Sequence, residues 1–500
     1  MEKLTPFKRW MIVIAVMTSA IMVLIDMTIA MVAMPQMQGA LGATSDSITW
    51  VLTAYTMAEA IFIPMTSFFA AKLGERRLLL FAVSGFMLAS MLCGQAQSIE
   101  TMVFFRVIQG AFGAAVIPLS QSILISIFPD NQRNKAMAIF SIGILVGPIL
   151  GPSLGGLITE NMNWRWVFYV NLPVGLFCLA MIYAFVDMAN KRKADIHWGV
   201  IASMALGVGL LQMVLDQGNQ KDWFESGFIQ ISLVIALLSL VAFVYQSFKS
   251  RSPAAPIWLI RNRNLALSSI MMAIFVSAVF GLTSQVPMML EGMLNYPVDT
   301  TGFLLAPRGV AAGITLILTA RLMTNERLKW AVFVGVSLCA LSGLMMTQYS
   351  LNIDPKWVVL PTLLQGCGMG LVFSSLSNMA YTTLAKEHQV GGASIYNLFR
   401  TVGSSFGISI VTTFQFRQAQ TQWNSLGEGI NPYSVNLQNW LDSNQLQLTD
   451  PSTITLLQQQ LHQQSEIVAF VHTYAFVTLL FLSILPFLFF IKIPKSQLND

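Results

Sequence analysis

Charge is what this sequence has least of. Asp, Glu, Lys and Arg make up 10% of its 500 residues, against about 25% in ordinary soluble domains. No stretch is long and polar enough to form a soluble domain of any size. Cysteine is equally sparse. Cys93, Cys178, Cys339 and Cys367 all lie in apolar stretches with no CxxC pair, which reads as packing rather than redox chemistry or metal binding. His197, His388, His462 and His472 show no metal-ligand spacing either. There is no GxxxxGK loop followed by Ser or Thr, so ATP is not expected to drive the protein through its own chain. No HExxH, no paired catalytic carboxylates and no glycine-rich dinucleotide fingerprint after a strand is present. The expectation is a protein that is not an enzyme and holds no cofactor and no metal.

What the sequence has instead is apolar length. It is 55% hydrophobic with a mean hydropathy of +0.64, the composition of a polytopic all-α membrane protein. Fourteen helical spans are expected near 10–34, 48–70, 78–96, 101–128, 135–158, 165–188, 196–216, 228–248, 265–290, 299–321, 328–349, 357–384, 391–416 and 467–491. The basic N-terminus runs into an apolar stretch too long for a signal peptide, so it reads as an uncleaved first span.

The formal net charge of +5 is spread over many short loops and points to topology rather than to nucleic acid. With the N-terminus inside, 21 of the 28 basic residues fall on inner loops, from Lys3, Lys8 and Arg9 at the start to Lys492 and Lys495 at the end. Only Arg165, Lys221, Lys356 and Arg417 fall outside, while Arg106, Arg308 and Arg400 lie within spans. That asymmetry predicts an even number of spans with both termini on the cytoplasmic side. Residues 249–264, with four basic residues, Pro253 and Pro256, read as the connection between two halves. Residues 417–466 form one long outer segment rich in Gln, Asn and Ser. Helix-start signals lie at Asp450 to Thr453, and the segment is either a solvated connector or a docking surface.

Within span five, SIGILVGPILGPSLGG repeats glycine at Gly143, Gly147, Gly151 and Gly155, followed by Gly156, with Pro148 and Pro152 between them. A four-residue period sets those glycines on one helix face and lets another backbone approach. The prolines remove backbone donors and predict kinks. The segment is either a packing helix or a bent helix at a moving interface.

Ionisable residues inside spans are costly and mark function by default. Asp26 in span one and Arg106 in span four fall at similar depth, which permits an ion pair that either loads protons or fixes packing. Glu59 in span two is a second proton site, a ligand for a cationic substrate, or a carboxyl held neutral. Arg308 and Arg400 read first as helix-end or inner-gate contacts. Gln109, Gln285, Gln365, Asn378 and Asn397 are polar residues of apolar spans. They are candidates for a substrate cavity or for interhelical hydrogen bonds. Abundant Met and Phe, 29 and 33 residues, suit an adaptable apolar cavity as well as any membrane core.

Several stretches resemble a known family. LIDMTIAMVAMP with Asp26, RVIQGAFGAA with Arg106 and Gln109, and GILVGPILGPSLGG are similar to three helix motifs of the fourteen-span drug:H+ antiporters of the major facilitator superfamily. NWRWVFYVNLPVG and GGASIYNLFRTVGSSFGISI also resemble family stretches, and the likeness is greatest to the EmrB-type exporters of Gram-negative inner membranes. One loop departs from the pattern. SFFAAKLGERR keeps Gly74, Lys72, Arg76 and Arg77 but has Ala71 where Asp is usual.

The resemblance implies two six-helix halves, in residues 1–190 and 265–500, separated by two inserted helices and a linker in 191–264, rocking about a midplane cavity. It implies Asp26 as the main proton site with Arg106 as its tuner, and the fifth helix packed against the other half. It implies proton-driven export of hydrophobic compounds with no cofactor beyond the proton gradient. A periplasmic membrane-fusion adaptor and an outer-membrane channel are implied partners, and the 417–466 segment is the expected contact.

Overall fold

The computed structural model describes residues 5–129, 132–187, 197–250, 256–322, 327–428, 430–431, 433–444 and 446–491. Lys3, Lys191, Arg192, Lys193, Arg251, Pro253, Lys492, Lys495 and the 190/191 boundary lie outside the described residues, as do the side chains of Arg133, Pro148, Pro152 and Arg321.

Among the described residues there is no strand. The chain begins with α1 (Pro6–Ala40), the short α2 (Ser45–Ile48), α3 (Trp50–Phe62) and α4 (Thr66–Leu73). It continues through α5 (Glu75–Gln95), α6 (Ile99–Gly113), α7 (Val116–Ile127), α8 (Arg133–Asn161), α9 (Trp166–Tyr169) and α10 (Asn171–Phe185). Then come α11 (Trp198–Gln217), α12 (Gly227–Ser250), α13 (Arg263–Pro287) with a π-turn over Met288–Met293, α14 (Val298–Leu322), α15 (Leu328–Met346) and α16 (Pro355–Tyr381). The chain closes with α17 (Gln389–Glu428), α18 (Val435–Ser443), α19 (Pro451–Leu482) and α20 (Leu485–Leu488).

Local sequence sets several starts. Thr5 caps α1 by accepting from the Lys8 amide, with Pro6 in the first turn. Ser98 and Thr101 form a reciprocal capping box on α6. Asp354 caps α16 ahead of Pro355. Gly74 stands at φ +86 between α4 and α5, a left-handed conformation that glycine adopts without a Cβ clash.

Eleven helices among the described residues are long and apolar enough to cross a membrane, and the bent pair α3–α4 raises the number to twelve. The other two expected spans correspond to α8 and α17, which are present as helices but outside that number. The apolar surface has two destinations. Residues from Ile12 to Ile491 join one buried core, while Leu237, Leu238 and Val241 on α12 face outward at 52–69% exposure, as lipid-facing residues do.

One break was not expected: in span two α3 and α4 meet at 58° around Pro64, a residue without a backbone donor. The fifth span forms a single helix, Arg133 to Asn161, that continues through both prolines. Much of the outer segment is helical. Helix α17 continues twelve residues past the expected end at 416, and α19 begins at Pro451, where the helix-start signals lie, and runs on into the last span. The two are joined side by side by Phe414 stacked on Phe476 at 4.7 Å, Gln415 bonded to Glu466 at 2.7 Å, and Trp423 against His462. Hydropathy stops at the membrane; helical pairing does not.

The glycine stripe of α8 has a clear partner. A Cβ on Gly147 would lie 2.5 Å from the Leu24 Cβ, and one on Gly155 would lie 3.1 Å from the Val32 Cβ. Gly143 faces Met17, and Gly151 faces Thr28, whose hydroxyl also donates to the Gly147 carbonyl at 3.3 Å. All four therefore face α1, a neighbour within the first six spans. Helix α8 also packs on α14 and α16. Nothing stands within 4 Å of a Cβ on Gly156.

Candidate functional site

Asp26 lies on α1 with no exposure to solvent, and Arg106 on α6 with none. They form an ion pair of 2.7 Å between Arg106 Nη1 and Asp26 Oδ2. Helix α6 reaches this depth because Gly110 lets it lie against α3; a Cβ there would meet the Tyr55 carbonyl at 2.4 Å. The other carboxylate oxygen is also occupied. Asp26 Oδ1 accepts from Gln109 Nε2 at 2.9 Å and from Asn171 Nδ2 at 2.5 Å. Asn171 donates as well to Ser90 Oγ, and Arg106 donates to Gln109 Oε1 at 2.9 Å and to the Val51 carbonyl at 3.0 Å. The guanidinium stacks over the Tyr55 ring at 4.4 Å.

Five helices thus contribute to one sealed polar knot. Its carboxylate is held as an acceptor by three donors, one of them charged. To take up a proton it must first lose part of that shell, above all the guanidinium. Asn171 and Ser90 were not among the residues singled out from sequence. Asn171 sits inside the NWRWVFYVNLPVG stretch, which was the available signal; Ser90 had none.

Glu59 is buried on α3, and the charges it faces are Arg400 on α17 and Arg106. Arg400 donates from Nε to Asn397 Oδ1 at 3.1 Å, and Asn397 Nδ2 donates across to Gln121 Oε1 on α7 at 2.6 Å. This group ties the inner half of span four to span thirteen.

A cavity opens beside it, lined by Leu24, Ile144, Val279, Phe280, Thr283, Arg308, Gly309, Ala312, Met369, Phe373 and Arg400. Its walls come from α1, α8, α13, α14, α16 and α17. Arg308 and Arg400, expected at helix ends or an inner gate, line this cavity. The polar candidates Gln109, Gln285, Gln365, Asn378 and Asn397 do not. Gln109 belongs to the Asp26 knot and Asn397 to the α7–α17 tie. Gln285 bonds Thr412 at 3.0 Å, while Gln365 and Asn378 are buried in α16. Of the inner-loop residues, Arg76 donates to the Tyr183 carbonyl at 2.6 Å and meets Asp187 at 3.8 Å, whereas Arg77 is exposed.

One acidic residue escaped notice in the sequence. Asp216 of α11 accepts from Thr56 of α3 at 2.8 Å and from Gln212 at 3.1 Å. Gln212 also bonds Ser405 of α17. Further along, Ser409 donates to the Leu215 carbonyl, Trp223 to Thr413, and Gln217 to Thr49 and Thr53. Helix α11 is therefore hydrogen-bonded to both α3 and α17 near the outer side. The rule that exposes Asp26, a charge in an apolar run, would have found Asp216.

An all-helical membrane bundle with a sealed ion pair and an apolar cavity lined by arginines is the architecture of a solute carrier. The chain belongs to the Major Facilitator Superfamily, whose model matches residues 16–408. It is a transporter rather than an enzyme, a multi-pass protein of the bacterial inner membrane. It is 31% identical to the multidrug export protein EmrB of Haemophilus influenzae, over 97% of this chain and 96% of that protein. It is 30% identical to the fatty acid resistance protein FarB of Neisseria gonorrhoeae, over 95% of this chain and 94% of that one. The fold also matches the crystal structure of the human organic anion transporter MFSD10 with a TM-score of 0.62 at 12% identity, covering 96% of this chain and 100% of that one.

Proposed function

We propose that this protein is a drug-efflux transporter that exports hydrophobic drugs and toxic compounds in exchange for protons, with Asp26 as the main proton site and Arg106 as its tuner. The observation that carries the coupling is the Asp26 knot. A carboxylate without solvent contact, bound to a cation on a different helix, exchanges protons only when the helices around it shift. Glu59, buried and facing the charges of Arg400 and Arg106, is the second proton site of this reading. Two six-helix halves, residues 1–190 and 265–500, rock about the cavity between them, with α11 and α12 inserted; together these make fourteen spans with both termini inside. Each inward proton contributes about 2.3 kcal/mol per 100 mV and about 1.4 kcal/mol per pH unit. One or two protons would sustain substrate ratios of tens to thousands.

On the same reading, the paired outer ends of α17 and α19 are where a periplasmic membrane-fusion adaptor docks, linking the protein to an outer-membrane channel. A dedicated exporter of one metabolite, siderophore or fatty acid is the second reading. The 30% identity to a fatty acid resistance protein favours its fatty acid form.

The test is movement of several unrelated lipophilic compounds in proteoliposomes under an imposed pH gradient, with Asp26→Asn and Glu59→Gln alongside wild type. Gradient-driven movement that disappears in Asp26→Asn is the expected result. Normal movement by Asp26→Asn would refute the coupling assignment, and movement of fatty acids alone would favour the dedicated exporter.

A further inference from the structure

Arg106, Arg308 and Arg400 are held inside the helices, and among the described residues only Arg106 has an ion pair there, with Asp26. Arg400 faces the charge of Glu59 without a contact within 4.0 Å. No acid faces Arg308. Among the described residues no carboxylate lies within 4.0 Å of it, and its one hydrogen bond runs from Nη1 to Thr283 Oγ1 at 2.9 Å. A guanidinium carries five N–H donors, so most of its capacity is unspent at a place where charge is costly. Its backbone is fixed by close packing, because Gly366 of α16 lies so near that a Cβ would stand 2.2 Å from the Arg308 carbonyl. The same arginine lines the cavity, whose remaining wall is mostly aliphatic and aromatic and contains no acid.

We propose that Arg308, oriented by Thr283, is the anion-binding subsite of this transporter and that its substrates include amphipathic monoanions. The carboxylate of such a molecule completes the donor set of Arg308, and its hydrocarbon tail lies along Phe280, Met369 and Phe373. A lipophilic cation would bring like charge against Arg308 and Arg400 on a lining that contains no acid. The proposal deepens the export reading, on which the word substrate rests.

Its test is binding without any gradient, so that failure of gradient-driven export and failure of this subsite are separate results. Radiolabelled decanoate is bound to the purified full-length protein and displaced by decanol and by decyltrimethylammonium. Wild type should hold decanoate at least tenfold more tightly than either competitor. Arg308→Gln should weaken decanoate about tenfold or more and leave decanol within twofold. Thr283→Val, which keeps the side-chain shape and removes only the hydroxyl that accepts from Arg308, should weaken decanoate alone by a smaller factor. Decanoate and decanol binding equally, tightest binding of the cation, equal weakening of both probes in Arg308→Gln, or no binding of any probe would each overturn the proposal.

Discussion

Arg106 and Arg308 are the same residue type in comparable apolar helices, yet their surroundings are opposite. Arg106 is sealed, with a carboxylate, an amide oxygen and a backbone carbonyl on its donors and an aromatic ring beneath it. Arg308 has a single hydroxyl and an open cavity. A buried charge with its counter-ion is part of the architecture, because removing it orphans the partner. A buried charge without one adds a cost to the empty protein that a ligand can offset.

The comparison is broken most directly at Arg106. Arg106→Gln leaves Asp26 buried and uncompensated, and breaking a buried pair in this way costs about 3–5 kcal/mol. Its thermal unfolding midpoint in detergent should fall sharply. Arg308→Gln orphans no acid, so its midpoint should stay near wild type; an equal fall in both would erase the distinction.

The next effect is steric. Gly147→Ala drives a Cβ to 2.5 Å from that of Leu24 on the neighbouring helix, and overpacking of this kind costs about 1–3 kcal/mol. Gly156→Ala, on the same helix with open space around it, should be neutral in the same melt. A reversed order would mean that α8 does not lie on α1 as described.

A smaller effect belongs to α11. Gln212→Leu removes its bonds to Asp216 and to Ser405, each worth about 1 kcal/mol. Cysteine accessibility on the α17 face around Ser405 should rise several-fold. Unchanged accessibility would show that Gln212 does not hold α17 to α11. The smallest effect is expected at exposed Arg77: Arg77→Gln should leave both stability and binding unaltered.

Which parts of this were legible in the sequence follows from the same electrostatics. Asp26 and Arg106 stood out because each is a charge inside an apolar run at matching depth. Their contact required only that spans one and four be neighbours. Asn171 and Ser90 did not stand out, since neutral polar residues are ordinary in membrane helices and only packing brings them to a carboxylate. The glycine period announced a close helix approach, but not which helix, because a four-residue repeat carries no address. Arg308 was visible as a charge; that it faces a cavity without an acid depends on six helices at once. The outer end of α19 was legible from its helix-start signals at Asp450 to Thr453, whereas the outer end of α17 was missed because hydropathy registers lipid, and its Gln-rich turns pair with α19 outside it.

That last feature has a mechanical consequence. Helix α17 is continuous for 40 residues, about 60 Å at 1.5 Å per residue, whereas a bilayer core is about 30 Å thick. It carries Arg400 at the cavity and Trp423 beyond the membrane on one stiff rod, braced by α19. A tilt of about ten degrees at its midpoint sweeps the tip through about 5 Å for a rod of this length. If the halves rock as proposed, a rod of this kind would carry a tilt at the cavity out to its tip, and by reciprocity a load on the tip would bias the cavity.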